Sequence, residues 1–238
     1  MKIWLNHTLA CPDDASYPFS LSIFLWESTD DKFKKLLETY QAKKLYNFRS
    51  EESPLAIETI EAATENDITS KNFQQLHDES GIIHSVKIED NIFLHDTNII
   101  DPLPLHGYIR SYLDMLEEFA LIYDQSKSKP SNDAFHVVTH TIYSKIRSSL
   151  GKSTEIQNDI NDIEEFLSPI FQDLLYLNIF LTYLEIEEGL LVCSHCKRWY
   201  PIIKTIPRIY PKTMKRQEMD LEFMDKWRKL YPDDVVMD

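Results

Sequence analysis

The chain has 238 residues, a formal net charge of −14 and a hydrophobic content of 43% with 12 Phe, 12 Tyr and 4 Trp, which is ample for a packed core. So acidic a balance argues against a protein whose main task is to grip a phosphate backbone through its own charge. The four glycines, Gly81, Gly107, Gly151 and Gly189, are too scattered to build a phosphate-cradling loop. That argues against a self-sufficient kinase, dehydrogenase or nucleotide-dependent methyltransferase.

The first stretch, "MKIWLNHTLACPDD", has one lysine and a short apolar run broken by Asn6 and His7, so it lacks a secretory h-region. The nearest approach to a membrane span, "IFQDLLYLNIFLTYL", holds Asp173 and Asn178. The expectation is a cytoplasmic protein with no membrane partner. "MKIWL" and "YPFSLSIFLWES" predict strands, with a turn carrying Cys11 between them. "DDKFKKLLETYQAKKLYNF" has helical spacing in Phe33, Leu36, Leu37 and Tyr40, and residues 50–80 read as helical pieces with loops. "GIIHSVKIEDNIFLHDT" predicts a hairpin. The stripe Leu105, Tyr108, Ile109, Tyr112, Leu116, Phe119 and Tyr123 predicts one buried helix face. Two further helices are expected over 133–149 and 155–181, the second bent or broken at Pro169. "TYLEIEEGLLVCSHCKRWYPIIKTIPRIYP" reads as strand, tight turn at Glu188-Gly189, strand, cysteine knuckle, strand and extended segment. "QEMDLEFMDKWRKLY" closes the chain as an amphipathic helix.

Three cysteines make no disulfide framework, and Cys193 and Cys196 form a C-x-x-C that points to metal or redox chemistry. A thioredoxin-like role fits poorly, because the motif joins two predicted strands instead of opening a helix. Tetrahedral zinc on a small β ribbon takes its other ligands from a second knuckle. The remaining cysteine is Cys11, and three residues on, where its partner would stand, lies Asp14, whose carboxylate is an acceptable zinc ligand. The expected site is one structural zinc on Cys11, Asp14, Cys193 and Cys196, with His7 and His195 as less favoured ligands. The plainer reading is three reduced thiols and a capping aspartate.

The start "MKIWLNHTLACP" with "YPFSL" close behind, and the far end "EEGLLVCSHCKRWYPIIKTIPRIYP", resemble the tRNA methyltransferase activator family. These are small subunits that activate S-adenosylmethionine-dependent methyltransferases acting on tRNA, rRNA and translation release factors. Asp14 stands for one of the family's cysteines, and Thr205 for the glycine before "IP" in its signature. The resemblance implies a zinc-ribbon-like antiparallel β platform with an inserted helical domain, here enlarged, which makes the fold α+β. On that reading the platform comprises 1–28 and 182–212, the mostly helical insert 29–181, and the C-terminal amphipathic helix 213–238. It also implies a non-catalytic subunit that pairs as a heterodimer with a class I methyltransferase, binds no nucleotide or S-adenosylmethionine alone, and meets tRNA or rRNA only through the complex.

The prolines at 201 and 207 place their segment at a sheet edge suited to strand addition. Expected partner contacts are Trp199, Tyr200, Ile203, Ile206, Pro207 and Ile209, with Ile3 and Trp4 from the other end. Lys197, Arg198, Lys204, Arg208, Lys212 and Lys215 form an acid-free basic run that could face RNA, or could guard an edge strand against indiscriminate pairing. The principal alternative is a stand-alone zinc-ribbon RNA-binding protein working through 197–216. A metal-dependent enzyme ranks below both.

Overall fold

A computed structural model describes residues 1–2, 6, 9–26, 30–43, 45, 83–88, 91–126, 133–157, 159–232 and 235. In chain order its elements are β1 (Ser20–Trp26), α1 (Asp30–Gln41), the hairpin β2 (His84–Ile88) and β3 (Asn91–His95), and α2 (Leu105–Gln125). Next, α3 (Asp133–His136) runs through a π-helical turn (Val137–Ile142) into α4 (Tyr143–Ser153). There follow α5 (Ile160–Leu167), a 3-10 turn (Ser168–Ile170), α6 (Phe171–Tyr183), β4 (Ile186–Val192), β5 (Trp199–Ile203), β6 (Ile206–Pro207) and α7 (Glu218–Trp227). They fall into two compact units, one of residues 1–29, 119–131 and 184–238, the other of 30–118 and 132–183.

The first unit is built on an antiparallel sheet in the order β1-β4-β5-β6. β1 pairs with β4 from Ser20 opposite Val192 to Trp26 opposite Ile186, so the two ends of the chain make one platform across the long insertion. β4 runs without interruption through Glu188 and Gly189, where the sequence suggested a tight turn. Gly189 is there for close approach: a Cβ on it would stand 2.9 Å from the Ser22 carbonyl oxygen and 3.2 Å from Ile186 Cγ2, beside a register shift between Ile23 and Leu25. β5 and β6 are joined by Lys204 and Thr205, both at positive φ (49° and 65°), the conformation a two-residue hairpin needs to match the strands' twist.

Alternation along β1 buries both faces, with Ile23 and Phe24 each enclosed. Phe24 gathers with Leu190, Val192, Trp199 and Ile203 under the C-terminal segment, which contributes Phe223, Met224, Trp227, Leu230 and Tyr231. Its ring stacks on Phe223 at 6.0 Å, Trp227 at 5.1 Å and Tyr231 at 6.0 Å. α7 starts at a capping box in which the Asp220 carboxylate accepts from the Gln217 N–H at 2.9 Å, and that buried carboxylate also receives Arg208 Nε at 2.5 Å.

In the second unit the predicted stripe is core: Leu105, Tyr108, Ile109, Tyr112 and Leu116 are buried on α2. The Tyr108 and Tyr112 hydroxyls each donate at 2.5 Å to the buried Asp96 carboxylate, which also accepts from the N–H groups of Asn98 and Ile99. α5 begins at an Asp159 cap that accepts from the Asn161 N–H at 2.9 Å. Pro169 sits in the 3-10 turn that separates α5 from α6, as its missing N–H requires. In the hairpin, His84 faces His95 across the strands, their rings 5.3 Å apart and both buried. The strand expected at the first residues and the helical pieces expected over 50–80 fall largely or wholly outside the described residues. No helix among the described residues is long and apolar enough to cross a membrane.

Candidate metal centre and docking edge

Two knuckles of the first unit share one backbone pattern. In the first, the Cys11 N–H donates to the Ser16 carbonyl at 2.9 Å and the Ala15 N–H returns to the Cys11 carbonyl at 2.8 Å, with Ala15 at φ 58°. In the second, the Cys193 N–H donates to the Arg198 carbonyl at 2.9 Å and the Lys197 N–H to the Cys193 carbonyl at 3.1 Å, with Lys197 at φ 60°. The fourth residue of each is therefore equivalent: Asp14 in one, Cys196 in the other. The Cys196 N–H adds a bond to Cys193 Sγ at 3.4 Å, which favours charge on that sulfur.

This pairing draws four ligand atoms together. The Sγ atoms of Cys11 and Cys196 lie 3.8 Å apart, and Cys193 Sγ lies 3.3 Å from Asp14 Oδ2. All four ligand atoms fall within 4.8 Å of one another, and no other such group of His, Cys, Asp or Glu occurs among the described residues. Zinc–sulfur bonds of about 2.3 Å at a tetrahedral angle demand sulfur–sulfur edges of about 3.8 Å, and a carboxylate oxygen shortens the edge to about 3.6 Å. The donor set fits one structural zinc. Zinc bound there would cross-link the N-terminal knuckle to the one between β4 and β5.

The electrostatics suit the task. Asp14 Oδ1 accepts from both the hydroxyl and the N–H of Ser16, and these bonds hold its carboxyl far below the usual range, so it stays an anionic ligand. Burial by itself raises the Cys193 thiol, but the N–H groups of Cys196 and His195 outweigh it and the net shift is downward. Burial first, then hydrogen bonds from neighbouring thiols, push Cys196 up to about 12 in the metal-free cluster. Zinc would therefore displace protons as it binds. His195 is exposed and places Nδ1 3.2 Å from Asp14 Oδ2, so it touches a ligand without joining the set. The hydroxyl of Tyr200 lies 3.2 Å from Cys11 Sγ. Neither Ser16 nor Tyr200 was singled out as part of the metal site from the sequence; the signal for Ser16 was the two-residue step after an aspartate, which closes an Asx turn.

A family model described as Trm112p-like protein matches residues 5–204. The chain belongs to the Trm112p-like family. No curated protein and no solved structure matches it. Trm112p-like proteins are non-catalytic activator subunits, so this chain is an activator in a methyltransferase complex and not itself an enzyme. Its α+β fold, with a zinc-ribbon-like platform from the chain ends and a large helical insertion, is the one the resemblance implied.

The sheet redistributes the residues expected at the docking edge. β5 is interior and the edge falls on β6, where Ile206 is 62% exposed. Pro207 and Ile209 are half-buried and Ile203 is nearly enclosed. Trp199 and Tyr200 are fully buried in this chain's own core, so they are not surface anchors. Ile3, Trp4 and His7 lie outside the described residues. Within the basic run, Arg198 is buried 3.5 Å from the Asp13 carboxylate, and Arg208 pairs with Asp220. Both guanidiniums are engaged by carboxylates of this chain's own fold. Lys204, Lys212 and Lys215 are exposed, and Lys197 is half-exposed.

Proposed function

We propose that this Trm112p-like chain pairs one-to-one in the cytoplasm with a class I S-adenosylmethionine-dependent methyltransferase acting on tRNA, rRNA or a translation factor. It would stabilise that enzyme and help it hold its cofactor. The observation that carries the docking geometry is β6: an outermost strand whose isoleucine is exposed. The partner adds a strand to β6 and buries Ile206, with Pro207 and Ile209 at the margin. Lys204, Lys212 and Lys215 flank that edge in sequence, and they supply the positive charge that orients an RNA substrate toward the partner's active site.

Co-expression with a partner methyltransferase, followed by co-purification, tests this. Ile206→Asp should abolish the complex while circular dichroism leaves the chain folded, because a buried charge at an anchor costs several kcal/mol, about 2 or more. Reversing Lys212 and Lys215 to Glu should spare the complex and lower turnover on RNA. Intact complex with Ile206→Asp, together with RNA binding by the isolated chain that the lysine reversals remove, would establish the stand-alone RNA-binding alternative instead.

A further inference from the structure

The helical unit carries two exposed histidines four residues apart, His136 and His140, neither a member of the cysteine cluster. Residues so spaced are neighbours on a helix surface, and here the imidazoles stack face to face, centroids 4.3 Å apart and planes within 5°. His136 closes α3, and His140 lies in the π-helical turn that follows, a departure from α geometry that recurs at functional sites.

The Thr139 hydroxyl sits against the His140 imidazole. The single hydroxyl proton of Thr139 goes to the Phe135 carbonyl at 3.0 Å. Thr139 Oγ1 also lies 2.8 Å from His140 Nδ1, a hydrogen bond with that ring nitrogen. With Nδ1 engaged in this way, Nε2 is the ring nitrogen left to face an ion. Imidazole ligates metals through either ring nitrogen, and a hydrogen bond on one of them orients the other toward the ion.

We propose that His136 and His140 form a second metal site, open to solvent, for a borderline divalent cation such as Ni²⁺, Zn²⁺ or Cu²⁺. Imidazole pairs favour these ions over Mg²⁺ and Ca²⁺, with Cu²⁺ strongest in the usual order. No third His, Cys, Asp or Glu joins the pair among the described residues, so water completes the coordination sphere. The parallel rings must tilt toward each other for both lone pairs to meet one ion, a rotamer motion that exposed side chains make in nanoseconds or less. The cysteine cluster has four protein ligands and suits a resident structural ion. The histidine pair supplies two, so its ion exchanges with solvent.

The test uses the full-length chain without a tag, purified without chelator, passed over immobilised Ni²⁺ and titrated with Ni²⁺ by calorimetry. Wild type and His195→Gln should be retained and bind one added Ni²⁺ per chain. His136→Gln and His140→Gln should each lose retention, with affinity falling at least tenfold and the far-ultraviolet circular dichroism unchanged. Thr139→Val, which keeps both imidazoles but removes the orienting hydroxyl, should weaken binding by a few-fold only. Undiminished retention of the His136→Gln/His140→Gln double variant, or its loss in His195→Gln, would overturn the assignment.

Discussion

Replacing Gly189 with alanine is the sharpest test of how the platform is packed. The added Cβ would lie 2.9 Å from the Ser22 carbonyl oxygen, 3.2 Å from Ile186 Cγ2 and 3.3 Å from Ile202 Cδ1. The first of these is backbone on β1 and cannot rotate away, so β1 must move off β4 along the pairing that unites the chain ends. Overfilling a close-packed site costs about 1–3 kcal/mol, and reduced freedom of the unfolded alanine chain offsets about 0.4–1 kcal/mol. Because the 2.9 Å contact is with backbone, the cost sits at or above the middle of its range and the net loss should be about 1.3 kcal/mol or more, roughly a tenfold fall in the folded-to-unfolded ratio. Urea unfolding followed by tryptophan fluorescence reports on this unit, since Trp26, Trp199 and Trp227 all belong to it. Gly151→Ala, in the other unit and so followed by far-ultraviolet circular dichroism, is the control: nothing lies within 4 Å of its added Cβ on α4, so it should be neutral or stabilise by up to about 1 kcal/mol. An unfolding midpoint for Gly189→Ala equal to wild type would refute the close-approach reading of this glycine.

Elemental analysis should find about one zinc per chain in the cysteine cluster. Asp14→Ala should release that zinc to a chelator much faster than His195→Ala, and Asp14→Cys should retain it more tightly; equal loss from the two alanine variants would break the four-ligand assignment. The second expectation concerns acid. Burial lowers the His95 pKa to about 4, so the unfolded chain binds more protons than the folded one between pH 6.5 and 4, and His95 withdraws stability as pH falls through that window. The loss reaches about 3 kcal/mol at 1.36 kcal/mol per unit. Asp96, whose pKa burial raises, opposes this slope, so the measurement is the difference between wild type and His95→Leu across the window. An identical acid slope in the two proteins would show that His95 titrates as it does unfolded.

What was legible in the sequence was local. The C-x-x-C and the Cys11-to-Asp14 step could be matched because each knuckle closes on itself through the same two backbone bonds, so ligand spacing survives whatever the rest of the chain does. The stripe on α2 was legible because a helix that buries one face must repeat at its own period. Gly189 misled because a glycine beside Glu188 looks like a turn to its neighbours; its requirement comes from Ser22, on a strand far away in sequence. Trp199 misled in a similar way. Its indole is covered by Arg216, whose guanidinium lies 4.0 Å over the ring, and by Tyr231 at 6.3 Å, both supplied by the segment beyond the family-matched region. Nor did the sequence give warning that Thr205 takes a positive φ of 65°, a conformation that costs a residue with a Cβ about 1–2 kcal/mol.

The length of β6 constrains how docking can work. It has two residues, and Pro207 has no N–H to donate, so an added strand could gain few main-chain hydrogen bonds from it. At about 1 kcal/mol net for each such bond, the ladder could align a partner but could not hold it. Full burial of one isoleucine contributes about 1.5–3 kcal/mol, comparable to the whole ladder. Affinity in the proposed complex must therefore rest on Ile206 and on side chains the partner brings over it. Weakening the ladder should shift the partner's register, whereas a charge at Ile206 should remove the complex.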